Sequence, residues 1–446
     1  MKKAIEYLFR PVPAHSFAAF RILFGGILFW ELCRYFLLGR VERFYITPEL
    51  TLPFKYFEWL PLFSAPVIYG IFWTMLLCSA LVILGWFYRA AIIVLSVCYA
   101  YSLFIDTTNY QNHLYLFCLL LLLLSFTKPH AIWSLDSWFR KDRSRTVPNW
   151  QPMLFKFQVG LVYLFGGLEK LHPEWLSGRS VEAILPFGNS AALDAITGIL
   201  GKTGTLYSFT YGGLFLDFAL VPMLLFRRTR APGILCVLFF NLICSQVFSI
   251  GVFPWFMIAA TVLYVDPALL ARLGGGITAN PGTGTPEPRR FAVLPMLACY
   301  CAFQLVFPLR HFLSDGSYIW NCKGRYFSWT MMQCARDGKI RFYVKDQENG
   351  RQYPINIDQY LTERQIRKMA FNPQSVLYFS VYLQKIAEGL QITNYSIHAQ
   401  STLNVNKKGP VPFVREEVDL SKVTLRTDVD EILYRPADGY LASNRW

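Results

Sequence analysis

Apolar runs near the length of a bilayer crossing recur from residue 15 to about residue 308. They predict nine helical spans, at roughly 15–37, 66–87, 89–105, 113–127, 152–170, 206–226, 231–249, 253–269 and 291–308. From residue 309 the pattern changes. Runs such as KIRFYVKD, SVLYFSVYLQ and YSIHAQSTLNV, bounded by Gly, Asn and Asp, read as strands of a sandwich or jelly-roll-like domain, with TERQIRKMAF as a short helix within it. The segment GGGITANPGTGTPEPRR (274–290) reads as a flexible linker. The expected architecture is an α-helical polytopic membrane protein of about nine spans (residues 1–308), followed by a mostly-β extracytoplasmic domain (residues 309–446).

Composition agrees with the pattern. Only 16% of the 446 residues are charged, against roughly 25% in ordinary soluble domains. The first apolar run lacks a small-residue cleavage site and is long enough to span, so it is no cleavable signal. The net charge of +14 does not point to nucleic acid, because much of it sits in short loops. Lys2, Lys3, Arg10, Arg89, Lys128, Arg140, Lys141, Arg143, Arg145, Arg227, Arg228, Arg230, Arg272, Arg289 and Arg290 all fall on one side if the spans alternate. The opposite loops hold fewer cations: Arg40, Arg43, Lys55, Arg179 and Lys202. Positive charge stays cytoplasmic, which puts the N-terminus and the linker inside and the C-terminal domain outside.

Eight of the ten cysteines lie in apolar runs, and none shows metal-ligand spacing, so no metal is expected. Cys322 and Cys334 lie in the polar part and can pair as a disulfide if it faces an oxidising compartment.

The candidate chemistry centres on Lys170, which ends the apolar stretch FKFQVGLVYLFGGLEKL. Either its stem snorkels and its head sits among headgroups, or partial desolvation makes it a usable base near neutral pH. The expected topology brings other polar residues to the same outer depth: Asn112 and His113 before the fourth span, Gln246 and Ser249 at the end of the seventh. Trp175 suits the interface there. Singly, each reads as a helix cap, an interface histidine or an interhelical hydrogen-bonding group. Their shared depth makes them a candidate site open to an amphiphile from the membrane and a polar substrate from outside.

Four blocks carry a family resemblance. They are NHLYLFCLLLLLL through WSLDSWFR (112–140), GLEKLHPEWLSGRS (167–180), SQVFSIGVFPW (245–255) and PLRHFLSDGSYIW with GRYFSWTMM (308–332). In this order they resemble the vitamin K-dependent gamma-glutamyl carboxylases, which share the horizontally transferred transmembrane domain. The resemblance implies oxygenation of vitamin K hydroquinone (phylloquinol or menaquinol type) by O2 to the epoxide, coupled to CO2 addition at glutamate of a secreted peptide or protein. It implies that Lys170 deprotonates the quinol and that Asn112 and His113 stand beside quinol and substrate. Gln246, Ser249 and Trp175, from their shared depth, and Asn241 and Tyr110, which stand where the family generally has a histidine and a tryptophan, are candidates for lining the cofactor. Arg310, His311, Arg325 and Trp329 are then candidates for holding the peptide or closing the site. Arg310 and His311 read equally well as headgroup anchors, and Trp329 as a core residue. The alternatives are a quinone-binding relative that epoxidises or modifies a peptide without full carboxylation, and a transporter or scaffold. Membrane lipid and quinone are the expected neighbours. The expected location is a bacterial plasma membrane, or the endoplasmic reticulum membrane in a eukaryote.

Overall fold

A computed structural model describes residues 2–139, 145–273, 290–314, 316–437 and 440. Helices occupy every stretch expected to span: α1 (His15–Leu37), α2 (Ala65–Leu84), α3 (Tyr88–Phe104), α4 (Asn112–Phe126), α5 (Trp150–Leu168), α7 (Gly213–Leu225), α8 (Arg230–Val247), α9 (Phe253–Ala260) and α10 (Arg290–Val306). Among the described residues, five helical runs are long and apolar enough to cross a membrane: His15–Leu37, Ala65–Leu84, Ala191–Leu225, Arg230–Val247 and Ala292–Leu313. Tyr88–Phe104, Asn112–Phe126 and Phe253–Tyr264 are apolar but shorter. The run Ala191–Leu225 corrects the expectation of an outer loop up to residue 205. Helix α6 (Ala191–Tyr207) lies there, kinked at Gly201. Most of the 274–290 linker, together with Arg140, Lys141, Arg143 and Arg289, lies outside the described residues.

In the bundle, α1 packs on α2, α2 on α3, α3 on α4, and α7 on both α5 and α8. Its centre is aromatic. Phe24 of α1, Phe117 of α4 and Phe256 of α9 meet edge to face, with ring centroids 4.9–5.6 Å apart. Lipid gives no hydrophobic drive for helix association, so close packing must supply it. Glycine permits that closeness on α5. A Cβ at Gly167 would stand 2.9 Å from the Phe218 ring of α7. At the start of α3, Asp136 accepts from the backbone N–H groups of Phe87 and Tyr88, both at 3.0 Å, which caps the helix. The acidic residue of WSLDSWFR is therefore structural.

Among the described residues the C-terminal part forms a single sheet backed by helices, which corrects the expectation of a sandwich. A short ribbon at the start of the bundle pairs β1 (Pro11–Pro13) with β2 (Thr146–Pro148). The outer domain holds one antiparallel sheet in the order β4-β3-β5-β6, from β3 (Arg336–Asp346), β4 (Gln352–Ile355), β5 (Tyr395–Val405) and β6 (Pro410–Pro412). KIRFYVKD and YSIHAQSTLNV are strands as expected. SVLYFSVYLQ is instead part of helix α12 (Pro373–Gly389), which corrects the strand expectation. Pro373 sits in its first turn, and the buried positions Val376, Phe379, Ser380, Leu383 and Ala387 recur at helical spacing. Phe379 packs edge-on to Phe342 of β3, centroids 5.0 Å apart. The expected short helix is α11 (Glu363–Met369), opened by a capping box between Thr362 and Gln365. Gln365 also donates to Leu50 O (2.7 Å) and to the Asp106 carboxylate (2.9 Å), seating the outer domain on the membrane loops.

A second joint lies at residues 326–332. Phe327, Trp329 and Met332 take positive φ (62°, 59° and 49°). Such backbone costs about 1–3 kcal/mol per residue and needs surroundings that enforce it. Here Trp329 is fully buried within the membrane bundle, its ring 5.0 Å from that of Tyr115 on α4.

Candidate active site at the outer end of the fifth helix

Helix α5 ends at Leu168, and Lys170 follows in a turn closed by its N–H on Gly167 O. Its Nζ is ion-paired with Asp217 Oδ2 of α7. The two side chains are only 14% and 7% exposed, so the pair is largely desolvated. Removing both charges from water is expensive unless the partners satisfy each other, and an ionisable residue within an apolar helix marks a functional site. Nζ also stands 5.4 Å from the centroid of the Trp175 ring. That ring is held by its indole N–H on Thr210 O at 3.1 Å. Cys244 lies within electrostatic reach of both charges, and Asn241 is buried beside Tyr163 on the same side. Asn241 donates to Val237 O of its own helix at 2.9 Å.

The Thr330–Met331 step links this pair to α4. Asn112 Nδ2 donates to Thr330 O at 3.1 Å. A Cβ at Gly166 would lie 3.7 Å from Met331 Cε and 3.5 Å from Asp217 Oδ2. Tyr110 donates to Asn112 Oδ1 and accepts from Phe327 N–H, both at 2.9 Å. Its hydroxyl is thus a scaffold for Asn112 and for the 326–332 segment. Tyr110→Phe should lower the thermal midpoint by an amount equivalent to about 1–3 kcal/mol, because it strands a half-buried N–H. An unchanged midpoint in detergent would show that this joint carries no strain. His113 lies next along α4, between the rings of Phe117 and Phe253, each with centroid 5.9 Å away. No hydrogen bond engages its ring nitrogens among the described residues.

Lys170, Asp217 and Trp175 thus meet at the end of α5 with Asn241 buried on neighbouring α8, while Asn112 and Tyr110 hold the 327–330 segment and His113 follows on α4. The structure does not bring in Gln246 and Ser249, which are exposed at the end of α8. Among the described residues the Gln246 side-chain amide donates to Ser245 Oγ alone, at 3.4 Å. The proposed peptide-holding residues also have internal partners. Arg310 donates to Phe307 O (2.8 Å), Ser328 Oγ (3.1 Å) and Tyr326 O, and stacks 3.8 Å over the Phe307 ring. His311 is fully buried against Glu169. Arg325 lies against the Cys322 thiol, and Trp329 is in the bundle core. Cys322 and Cys334 are free thiols, with burial pushing Cys334 up to about 11. Among the described residues no cluster of His, Cys, Asp or Glu could hold a metal ion.

Asp217 is the residue that sequence reasoning missed. The signal was present: GLFLDFALVPMLL has one charge at its centre.

No solved structure matches this chain. The HTTM domain family matches residues 9–268, and the vitamin K-dependent gamma-carboxylase lumenal domain matches residues 289–428. The second match begins ahead of α10, so it takes in the last apolar helix together with the sheet. Apolar helices, a lumenal-type domain and two consecutive family matches over most of the sequence lead to one assignment: the chain is an integral membrane protein that belongs to the vitamin K-dependent gamma-glutamyl carboxylase family.

Proposed function

We propose that this protein deprotonates a reduced vitamin K-type naphthoquinol at the Lys170–Asp217 pair and couples its oxygenation to carboxylation of glutamate in a secreted peptide. The reading rests on one observation, a desolvated amine–carboxylate pair at the outer end of α5, walled by Trp175 and joined through Thr330–Met331 to Asn112. The residues suit such a ligand: aromatic faces for a flat ring system, one protonatable pair, and a histidine with open ring nitrogens. When bound, the quinol supplies, with O2, the base strength that no side chain has for a glutamate γ-proton, and CO2 then adds to that carbon.

The chain's own part is to take the first proton. Burial alone was expected to leave Lys170 as a neutral amine, but its neighbour is a carboxylate. An ammonium cannot accept a proton, so the pair acts as a unit. With a quinol bound, the Asp217 carboxylate would accept a hydroxyl proton and the Lys170 ammonium would face the oxygen that gave it up. Charge is conserved, and the new oxyanion meets a cation in a medium of low dielectric. Phe117, Phe253 and Trp329 exclude water around His113 and the joint. The loop charges support an outward-facing peptide site, with the plasma membrane as the reading for a bacterial host.

The test uses the full chain in detergent with reduced vitamin K, O2, labelled CO2 and a glutamate peptide. Epoxide and label in the peptide are expected together. No epoxide under these conditions sinks the proposal. Epoxide without label favours the second reading, quinol oxygenation alone, to which the internal engagement of Arg310, His311 and Trp329 lends weight.

A further inference from the structure

Glu169 immediately precedes Lys170, and its carboxylate is enclosed, with the side chain 2% exposed. Three side chains reach it, and all come from beyond residue 308. His311 Nε2 lies 2.9 Å from Oε1, off the alignment of a good hydrogen bond. The Tyr318 hydroxyl is 3.1 Å from Oε2. Gln333 Nε2 donates to Oε2 at 2.5 Å and to the Glu169 main-chain oxygen at 3.2 Å. The single Tyr318 hydroxyl hydrogen is better placed for Gln333 Oε1, at 2.5 Å, which closes the ring of side chains. His311 Nδ1 stands 2.7 Å from Pro308 O. A carbonyl only accepts, so Nδ1 carries a hydrogen, and that contact fixes the ring with Nε2 towards Glu169.

Two consecutive residues thus face opposite ways. Glu169 is gripped from the outer domain by both its side chain and its carbonyl, while Lys170 reaches into the bundle for Asp217. Fixing the Glu169 peptide fixes the starting point of the Lys170 side chain. Gln333 and Tyr318 both converge on Oε2 while His311 stands beside Oε1, so removing either polar partner weakens the hold on the whole carboxylate.

We propose that Glu169, His311, Tyr318 and Gln333 are positioning residues: they register the outer domain on the end of α5 and, through the Glu169 main chain, set where the Lys170 amine stands against Asp217. The inference rests on Lys170 as part of the proton-accepting pair. It makes the outer domain a working part of the membrane site as well as a platform for peptide.

The test variant is Gln333→Leu, which removes both contacts to Glu169. An apolar amine-acylating ester is applied to the detergent-solubilised full chain, and labelling of Lys170 is compared by mass spectrometry with that of Lys422, whose side chain is 82% exposed. Lys170 is expected to label at least about fivefold faster in the variant, as the loss of about one buried hydrogen bond implies, with Lys422 unchanged. Labelling of Lys170 at the wild-type rate overturns the proposal. This readout needs no turnover, so it decides the matter even if the wild type makes no epoxide and the quinol reading fails. Where epoxide is made, Gln333→Leu should lower it about tenfold in the presence of Lys170. In a Lys170→Ala chain supplied with a small external amine, it should leave the rescued rate unchanged. A further drop there means the residue acts on the fold at large and overturns the positioning role. Should Gln333→Leu fail to fold, Tyr318→Phe removes a single hydroxyl and is read in the same way.

Discussion

Replacing Lys170 with methionine is expected to lower epoxide formation by about 10²–10³-fold, the range that removing one charge-stabilising group beside a developing oxyanion costs. Methionine matches the stem in length and apolar character, so packing against Trp175 survives while the ammonium is lost. Quinone binding, read by quenching of Trp175 fluorescence, should change little. A small amine in the buffer should restore part of the turnover, because the vacated position still faces Asp217. If the folded variant turns over like the wild type, the amine has no part in the chemistry.

The second large effect concerns stability and runs through a double-mutant cycle. Asp217→Leu leaves the Lys170 ammonium without its carboxylate in a poorly hydrated site. Breaking a buried pair from one side costs about 3–5 kcal/mol, so a marked fall in thermal midpoint is expected. Lys170→Met alone should destabilise less, since a stranded carboxylic acid can hold its proton and become neutral. The combined Lys170→Met, Asp217→Leu chain should return to the wild-type midpoint or exceed it, because apolar groups of similar volume often replace a buried pair without loss. It should also make no epoxide. Additive losses in the double variant would mean that the two residues are not partners.

Much of the bundle was legible because a membrane imposes one strong rule: satisfy the backbone within an apolar helix. The outer domain follows no such rule. The alternation in KIRFYVKD and YSIHAQSTLNV was clear, since one face of each strand is buried and the other is open. SVLYFSVYLQ misled because nearly every position is apolar or small, so period two and period 3.6 fit alike, and the deciding signal was Pro373 at its start. Around the proposed site, Lys170, Asn112 and Trp175 could be singled out from their expected depth. Asp217 is harder to read, because it sits inside a span and not at the span ends where the other polar residues gather. Arg310, His311 and Trp329 belonged to a recognisable block, but their work is internal. A side chain that grips its own chain and one that grips a ligand look the same in a sequence.

Trp329 carries a last consequence. An outer module donates a tryptophan to the interior of the bundle, where it lies against Tyr115. The two halves of the protein are therefore keyed to each other like a plug in a socket. A chimera that grafts a foreign outer module after residue 308 will leave that socket vacant unless residues 324–333 travel with the recipient bundle.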